Sequence, residues 1–282
     1  MSDGDADADA QSVELSEVPE TLLWNLYQRA CEARQPRPVL EDPKAVELVD
    51  RLDYPFEDVF GPQNPVLAQG QALRVRTFDA AVRAFLAEHP DGTVVTLAEG
   101  LETQFWRVDN GRANWLGVEL PETAELRRSL LPDGERRRTL AQSALDLSWR
   151  DEIDTTRGVL ITAQGLLMYL QPSEVWQLIA GCAERFSGGA LVFDAVPRWF
   201  STRTMSGEMR TAQGYQTPPM PWGLDAGELQ KVRGAHPSVP DVRELRLPRG
   251  RGLYYGALAP LQHRLPVVRN LRPTMTALAR FS

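Results

Sequence analysis

The chain has 282 residues, 43% hydrophobic and 24% charged, enough to bury one large core. Its net charge of −7 is local. Of 38 acidic side chains, six (Asp3, Asp5, Asp7, Asp9, Glu14 and Glu17) lie in residues 1–18, which hold no Lys or Arg, leaving 32 against 31 basic groups elsewhere. A near-neutral body argues against a nucleic-acid partner, and two distant cysteines, Cys31 and Cys182, exclude a disulfide framework and match no metal-ligand spacing. The longest apolar stretch, Val159 to Leu170, is interrupted and too short to span a bilayer. No basic and apolar leader opens the chain. These features predict a soluble, cytoplasmic protein without a membrane partner, and an acidic tail at 1–18 too polar to order itself.

Pro19 to Gln35 keeps a helical apolar stripe, and Asp42-Pro43 opens a second, short helix running through Val49 and Leu52. A long helix is predicted from about Pro65 to Glu88, ended by His89-Pro90-Asp91-Gly92. Residues 19–92 therefore read as an N-terminal helical cap. From residue 93 to 282 the pattern becomes α/β alternation. Strands are expected at Val94–Leu97, Trp115–Val118, Arg138–Ala141, Val159–Thr162 and Ala190–Phe193, with helices at Glu102–Asp109, Pro121–Leu131 and Ser173–Phe186 between them. That order specifies a doubly wound, mostly parallel sheet with its ligand at the carboxyl ends of the strands. The Pro-, Gly-, Met- and aromatic-rich segment 197–223 reads as a lid insertion or as a packed connection. A helix near Asp225–Arg233 and strands at Val242–Leu247 and Gly252–Leu258 follow. The last stretch, His263 to Phe281, is read as a basic, apolar segment docked on the domain rather than on a membrane.

The first strand stops in Leu97-Ala98-Glu99-Gly100-Leu101-Glu102, a strand–turn–helix of the kind that builds cofactor sites. A pyrophosphate cradle needs three spaced glycines; this turn has Gly100 alone, flanked by Glu99 and Glu102. Carboxylates repel phosphate and suit a cation, so the turn points to S-adenosylmethionine, a nucleoside cofactor with positive charge and no phosphate.

Glu119 ends the second strand, 19 residues after Gly100, close to the offset of an acid that accepts both ribose hydroxyls. A surface glutamate opening a helix fits the same position. Asp146, after the third strand, suits the adenine amine, with Leu145 and Leu147 against the ring, or a helix cap. Gln164 is polar where the fourth strand ends among apolar neighbours, and so faces the cleft. Arg76 suits a bidentate clamp on the methionyl carboxylate, or an i,i+3 surface pair with Asp79.

Taken in order, Arg76-Thr-Phe-Asp79, Leu97-Ala-Glu-Gly-Leu-Glu-Thr-Gln-Phe105, Val118-Glu-Leu-Pro-Glu122, Ser143-Ala-Leu-Asp146 and Ala163-Gln-Gly-Leu-Leu-Met-Tyr-Leu170 resemble the leucine carboxyl methyltransferase family, in particular its bacterial polyketide O-methyltransferase branch. The resemblance runs from about Glu20 to the C-terminus. It implies a class I S-adenosylmethionine-dependent fold with an N-terminal helical cap. It also implies Arg76 on the methionyl carboxylate, Ala98 and Gly100 lining the cofactor, Glu119 on ribose, Asp146 and Leu147 at adenine, and Gln164 beside the methionyl group. Ala98 stands where the family has glycine, Glu102 and Glu119 where it has aspartate, Gln104 where it has arginine, and Gln164 where it has glutamate.

The expected reaction is methyl transfer to a carboxylate or hydroxyl oxygen of a small-molecule substrate in secondary metabolism. A methyltransferase-like protein that binds cofactor without transferring methyl is the other reading. No catalytic base stands out, because His89, His236 and His263 lie outside the motifs. Oligomeric state is not legible from the chain.

Overall fold

A computed structural model describes residues 20–210, 216–262 and 266–282. The acidic tail, residues 211–215 of the expected lid and the start of the last stretch lie outside the described residues. Seven strands form one sheet in the order β3-β2-β1-β4-β5-β7-β6. β1 (Thr93–Leu97), β2 (Asn114–Glu119), β3 (Arg137–Ala141), β4 (Val159–Ala163) and β5 (Ala190–Ala195) run parallel, whereas β7 (Met275–Arg280) is antiparallel to both β5 and β6 (Asp241–Leu245). The order reverses between β1 and β4. That is the switch point where the carboxyl ends of a doubly wound sheet open a crevice.

Four helices precede the sheet: α1 (Glu20–Ala33), α2 (Pro43–Arg51), α3 (Phe56–Phe60) and α4 (Pro65–Glu88). Asp42 caps α2 by accepting from the Ala45 amide, and Asn64 caps α4 by accepting from Val66 and Leu67, with proline at the first position of both. α1 to α3 share a core with Leu101, Leu126, Leu130 and Leu131 of the α/β part, with Tyr27 stacked on Phe56 at 5.3 Å. α4 belongs to both layers. Its Phe78, Val82 and Leu86 pack directly on Val94, Leu160 and Val192 of the sheet, so packing is continuous across residue 92.

α5 (Gln104–Val108), α6 (Pro121–Leu130) and α7 (Pro172–Arg185) follow β1, β2 and β4. The other sheet face buries Val95, Ile161, Phe193, Ala277 and Ala279 against α7 and the 3-10 stretch Ala226–Ala235. α8 (Arg198–Met205) opens the 197–223 segment, whose Trp222 is anchored in that same core.

Two late elements differ from the sequence reading. Residues expected as a strand at Gly252–Leu258 form a π-helical turn, Tyr254–Leu258, because Tyr255 seats its ring on α4 where Gly70 has no side chain. A strand lies instead at Met275–Arg280, inside the stretch expected to dock on the domain. Its alanines have weak strand preference, yet Ala277 and Ala279 are fully buried in the core. Among the described residues no helix is long and apolar enough to cross a membrane.

Candidate cofactor and acceptor site

Three strand ends meet at the switch point. After β1 the chain turns through Ala98 at φ 52°, the one non-glycine residue with positive φ among those described, and Gly100 at φ 56°. A side chain at Gly100 would also collide with Leu22 of α1, so glycine is needed there for conformation and for packing. The Gly100 amide donates 2.7 Å to Oε1 of Glu119, which is 3% exposed at the end of β2. Burial, and then the neighbouring Glu99, push the Glu119 carboxyl up to about 7, against the pull of Arg127.

Glu99 and Glu102 do not form the bare acidic surface expected from the sequence. Glu99 lies over Gly117 and is paired at 2.9 Å with fully buried Arg127, which also donates to the carbonyls of Gly100 and Glu102. Glu102 joins a buried cluster. Arg107 bridges it at 2.7 Å, Asp42 at 2.8 Å and Asp79 at 2.9 Å, and Arg29 reaches Glu102 and Asp42 at 3.2 Å each. Burial alone would raise the Glu102 carboxyl; Arg29 and Arg107 outweigh it and bring it to about 2. Both acids are already neutralised, so the carboxylate left for a ligand in this turn is Glu119.

The Gln164 amide donates 3.1 Å to Oε2 of Glu102, which ties the turn after β4 to the same cluster. Asp146 is exposed and caps the 3-10 turn Leu147–Glu152 through the Ser148 amide at 3.0 Å. The Leu147 side chain does not stand over the crevice. It fills the space above Gly181 of α7, while Leu145 is exposed.

Arg74, and not Arg76, is among the described residues lining the cavity beside the crevice. Positions two apart on a helix point about 200° from each other, so one of the pair must turn away. Arg74 is 8% exposed, pairs with Asp194 at the end of β5 at 3.3 Å, and approaches Gly165. Its Nε is buried without a hydrogen-bond partner, a donor available to a ligand. Composition gave no signal separating the two arginines; helical phase relative to buried Leu73 and Phe78 is the signal that separates them.

A cavity of about 900 Å3 opens beside this crevice and meets it at Arg74 and Gly165. Trp24 of α1, Gly70 of α4, Met168, Phe200 and Met220, and Tyr255 form its largely apolar wall. The 197–223 segment thus lines a cavity, as a lid or substrate insertion would. Arg251 ties the wall carrying Tyr255 to α1 through Glu32 at 2.9 Å. Among the described lining residues there is no His, Asp, Glu or Lys.

Comparison with known proteins identifies the family. The model of the family described as leucine carboxyl methyltransferase matches residues 23–183. The chain is 35% identical over 190 residues to the tetracenomycin polyketide synthesis O-methyltransferase TcmP of Streptomyces glaucescens, covering 67% of this chain and 70% of that one. It is 31% identical over 206 residues to the S-adenosyl-L-methionine-dependent methyltransferase dpfgK of Gibberella zeae, covering 66% and 69%. Among solved structures, PigF with SAH aligns at a TM-score of 0.48 and 12% identity, covering 94% of this chain and 71% of that one. The magnesium protoporphyrin IX methyltransferase of Synechocystis aligns at 0.45 and 14%, covering 79% and 90%. With more than half its length matched and the switch-point turn inside that match, the chain belongs to the leucine carboxyl methyltransferase family, S-adenosylmethionine-dependent enzymes.

Proposed function

We propose that this methyltransferase esterifies a carboxylate on a largely apolar, ring-containing small molecule held in the 900 Å3 cavity. One observation carries the reading: the described cavity wall offers arginines and aromatics but no His, Asp, Glu or Lys to take a proton at neutral pH. A hydroxyl acceptor profits from a base that takes its proton, whereas a carboxylate is already ionised and nucleophilic at neutral pH. Arg210 supplies the positive charge such an acid needs. Kinship to an O-methyltransferase of tetracenomycin polyketide synthesis supports an acid of secondary metabolism as acceptor.

The cofactor, when bound, supplies an electrophilic methyl group on sulfur. The residues at the strand ends fit it. Glu119 is a buried carboxylate set to accept from a diol, the turn at Ala98 and Gly100 leaves backbone open to close approach, and Arg74 has a free donor. In this reading Arg74 holds the methionyl carboxylate in place of Arg76. Gln164, its amide hydrogens committed to Glu102, presents its carbonyl oxygen to the ammonium. Asp146 and the Leu147 backbone meet adenine. The chain's contribution to rate is alignment of donor and acceptor and exclusion of water from an apolar chamber.

The test is calorimetric titration with S-adenosylmethionine, S-adenosylhomocysteine and NAD, followed by mass spectrometry of aromatic acids incubated with enzyme and cofactor. Micromolar binding of both sulfur compounds and a methyl ester product are expected. Methyl ethers formed while the free acid persists would move the acceptor to a hydroxyl. Binding with no methylated product would overturn transfer.

A further inference from the structure

We infer that Asp194 is a positioning residue for methyl transfer, a single carboxylate that sets both Arg74 and the Gln164–Gly165 turn. It is fully buried at the end of β5, on the sheet face that carries Val192. Its two oxygens diverge. Oδ1 accepts from the Gly165 amide at 2.7 Å, and Oδ2 lies 3.3 Å from Arg74 Nη1. Gly165 sits at φ 71°, a left-handed turn that needs an anchor, and Arg74 Nη2 lies 3.5 Å from where its Cβ would be. One side chain on β5 therefore fixes a helix residue and a strand-end turn against each other.

Stability alone is a poor reason for this residue. A buried ion pair costs as much in desolvation as it returns, and an apolar replacement of the pair is often neutral. What the pair does provide is a fixed direction for the guanidinium, whose buried Nε remains without a hydrogen-bond partner beside the crevice. The Asp194 charge also opposes any anion that Arg74 binds, so the sign of the effect separates positioning from mere charge balance. The inference rests on the reading that Arg74 holds the methionyl carboxylate.

The experiment compares S-adenosylhomocysteine with 5′-methylthioadenosine, which keeps adenine, ribose and sulfur but lacks the amino-acid end. Both are titrated into the full chain and into Arg74→Gln, Asp194→Asn, Asp194→Glu and the Arg74→Gln/Asp194→Asn double variant, each checked for folding by thermal melting. Arg74→Gln is expected to weaken S-adenosylhomocysteine by about 10- to 100-fold and methylthioadenosine by less than about twofold, the loss of a charged hydrogen bond to one end of the ligand. Both Asp194 variants are expected to weaken S-adenosylhomocysteine selectively by about tenfold, and Asp194→Asn to add less than about twofold when Arg74 is already replaced. Asp194→Glu keeps the charge and serves where Asp194→Asn does not fold.

If Arg74→Gln shows its selective loss while a folded Asp194 variant binds S-adenosylhomocysteine as well as wild type, or tighter, the positioning role is overturned. Equal losses for the two ligands, or failure of both Asp194 variants to fold, make Asp194 structural and overturn it too. If Arg74→Gln shows no selective loss, the reading of Arg74 falls first, and the inference falls with it.

Discussion

Helices α1 and α4 border two regions built on opposite principles. On the side of the β1 turn, Arg29 of α1 and Asp79 of α4 enter a dry cluster in which Arg107, Asp42 and Glu102 are each 7% exposed or less. On the cavity side the same helices present Trp24, Gly70 and Gln71 to an open, mostly apolar chamber. The first region has directional partners at every group and a single arrangement that satisfies them. The second has few, so its side chains can change without leaving a charge stranded. The half proposed to meet the cofactor is held by ion pairs, and the half proposed to meet the acceptor is held by shape.

The sharpest way to break this contrast is one substitution in each region. Arg107→Met should leave Asp42, Asp79 and Glu102 short of their shared cation and cost about 3–5 kcal/mol of stability, read by urea unfolding. Phe200→Leu in the cavity wall should cost less than about 1.5 kcal/mol and instead raise the acceptor KM several-fold at unchanged S-adenosylhomocysteine affinity. Similar stability losses for both would erase the distinction.

pH sharpens the cofactor side. Glu119 carries a carboxyl raised to about 7 from the ordinary 4.5. In the free protein, this group binds its proton more tightly folded than unfolded. Its contribution to stability is therefore full below about pH 4.5 and is lost as pH rises to about 7. A ribose diol needs the ionised form, so cofactor binding has the opposite trend. Affinity for S-adenosylhomocysteine should rise up to about tenfold per pH unit below 7 and level off above it. Arg127 and Glu99 are the charged neighbours that set the midpoint. Glu119→Gln should bind more weakly at pH 8 and lose the slope, and a slope that survives it would place the titrating group elsewhere.

Much of this was legible in the sequence because its signals are local. Pro65 and Asn64 announce the start of α4, and β-branched runs announce β1 and β4. The turn at Gly100 and the acid at Glu119 also have local signatures. What escaped depends on contacts distant in sequence. Met275–Arg280 becomes a strand only because β5 and β6 flank it. The partners of Glu99 and Glu102 come from α6, α1 and α5, so two acids that look available in the chain are already paired in the fold. Arg74 and Arg76 look equivalent until the packed face of α4 is known.

The smallest expected effect lies at the turn itself. Ala98 holds φ 52° with its amide bonded to the Val118 carbonyl at 2.9 Å, so the strain is locked in by the sheet. A left-handed conformation costs an L-residue about 1–2 kcal/mol, and glycine avoids that cost while losing about 0.4–1 kcal/mol through its freer unfolded chain. The difference favours Ala98→Gly by about 0.5 kcal/mol, read as a small rise in urea midpoint at constant m-value. The variant also removes a methyl group from the turn proposed to approach the cofactor. Tighter S-adenosylhomocysteine binding than the stability gain accounts for would show that this methyl group stands in the cofactor's path. Unchanged binding would show that Ala98 strains the turn without obstructing the cofactor. A loss of stability would mean that the rigid, ion-paired side of the molecule had already absorbed the strain.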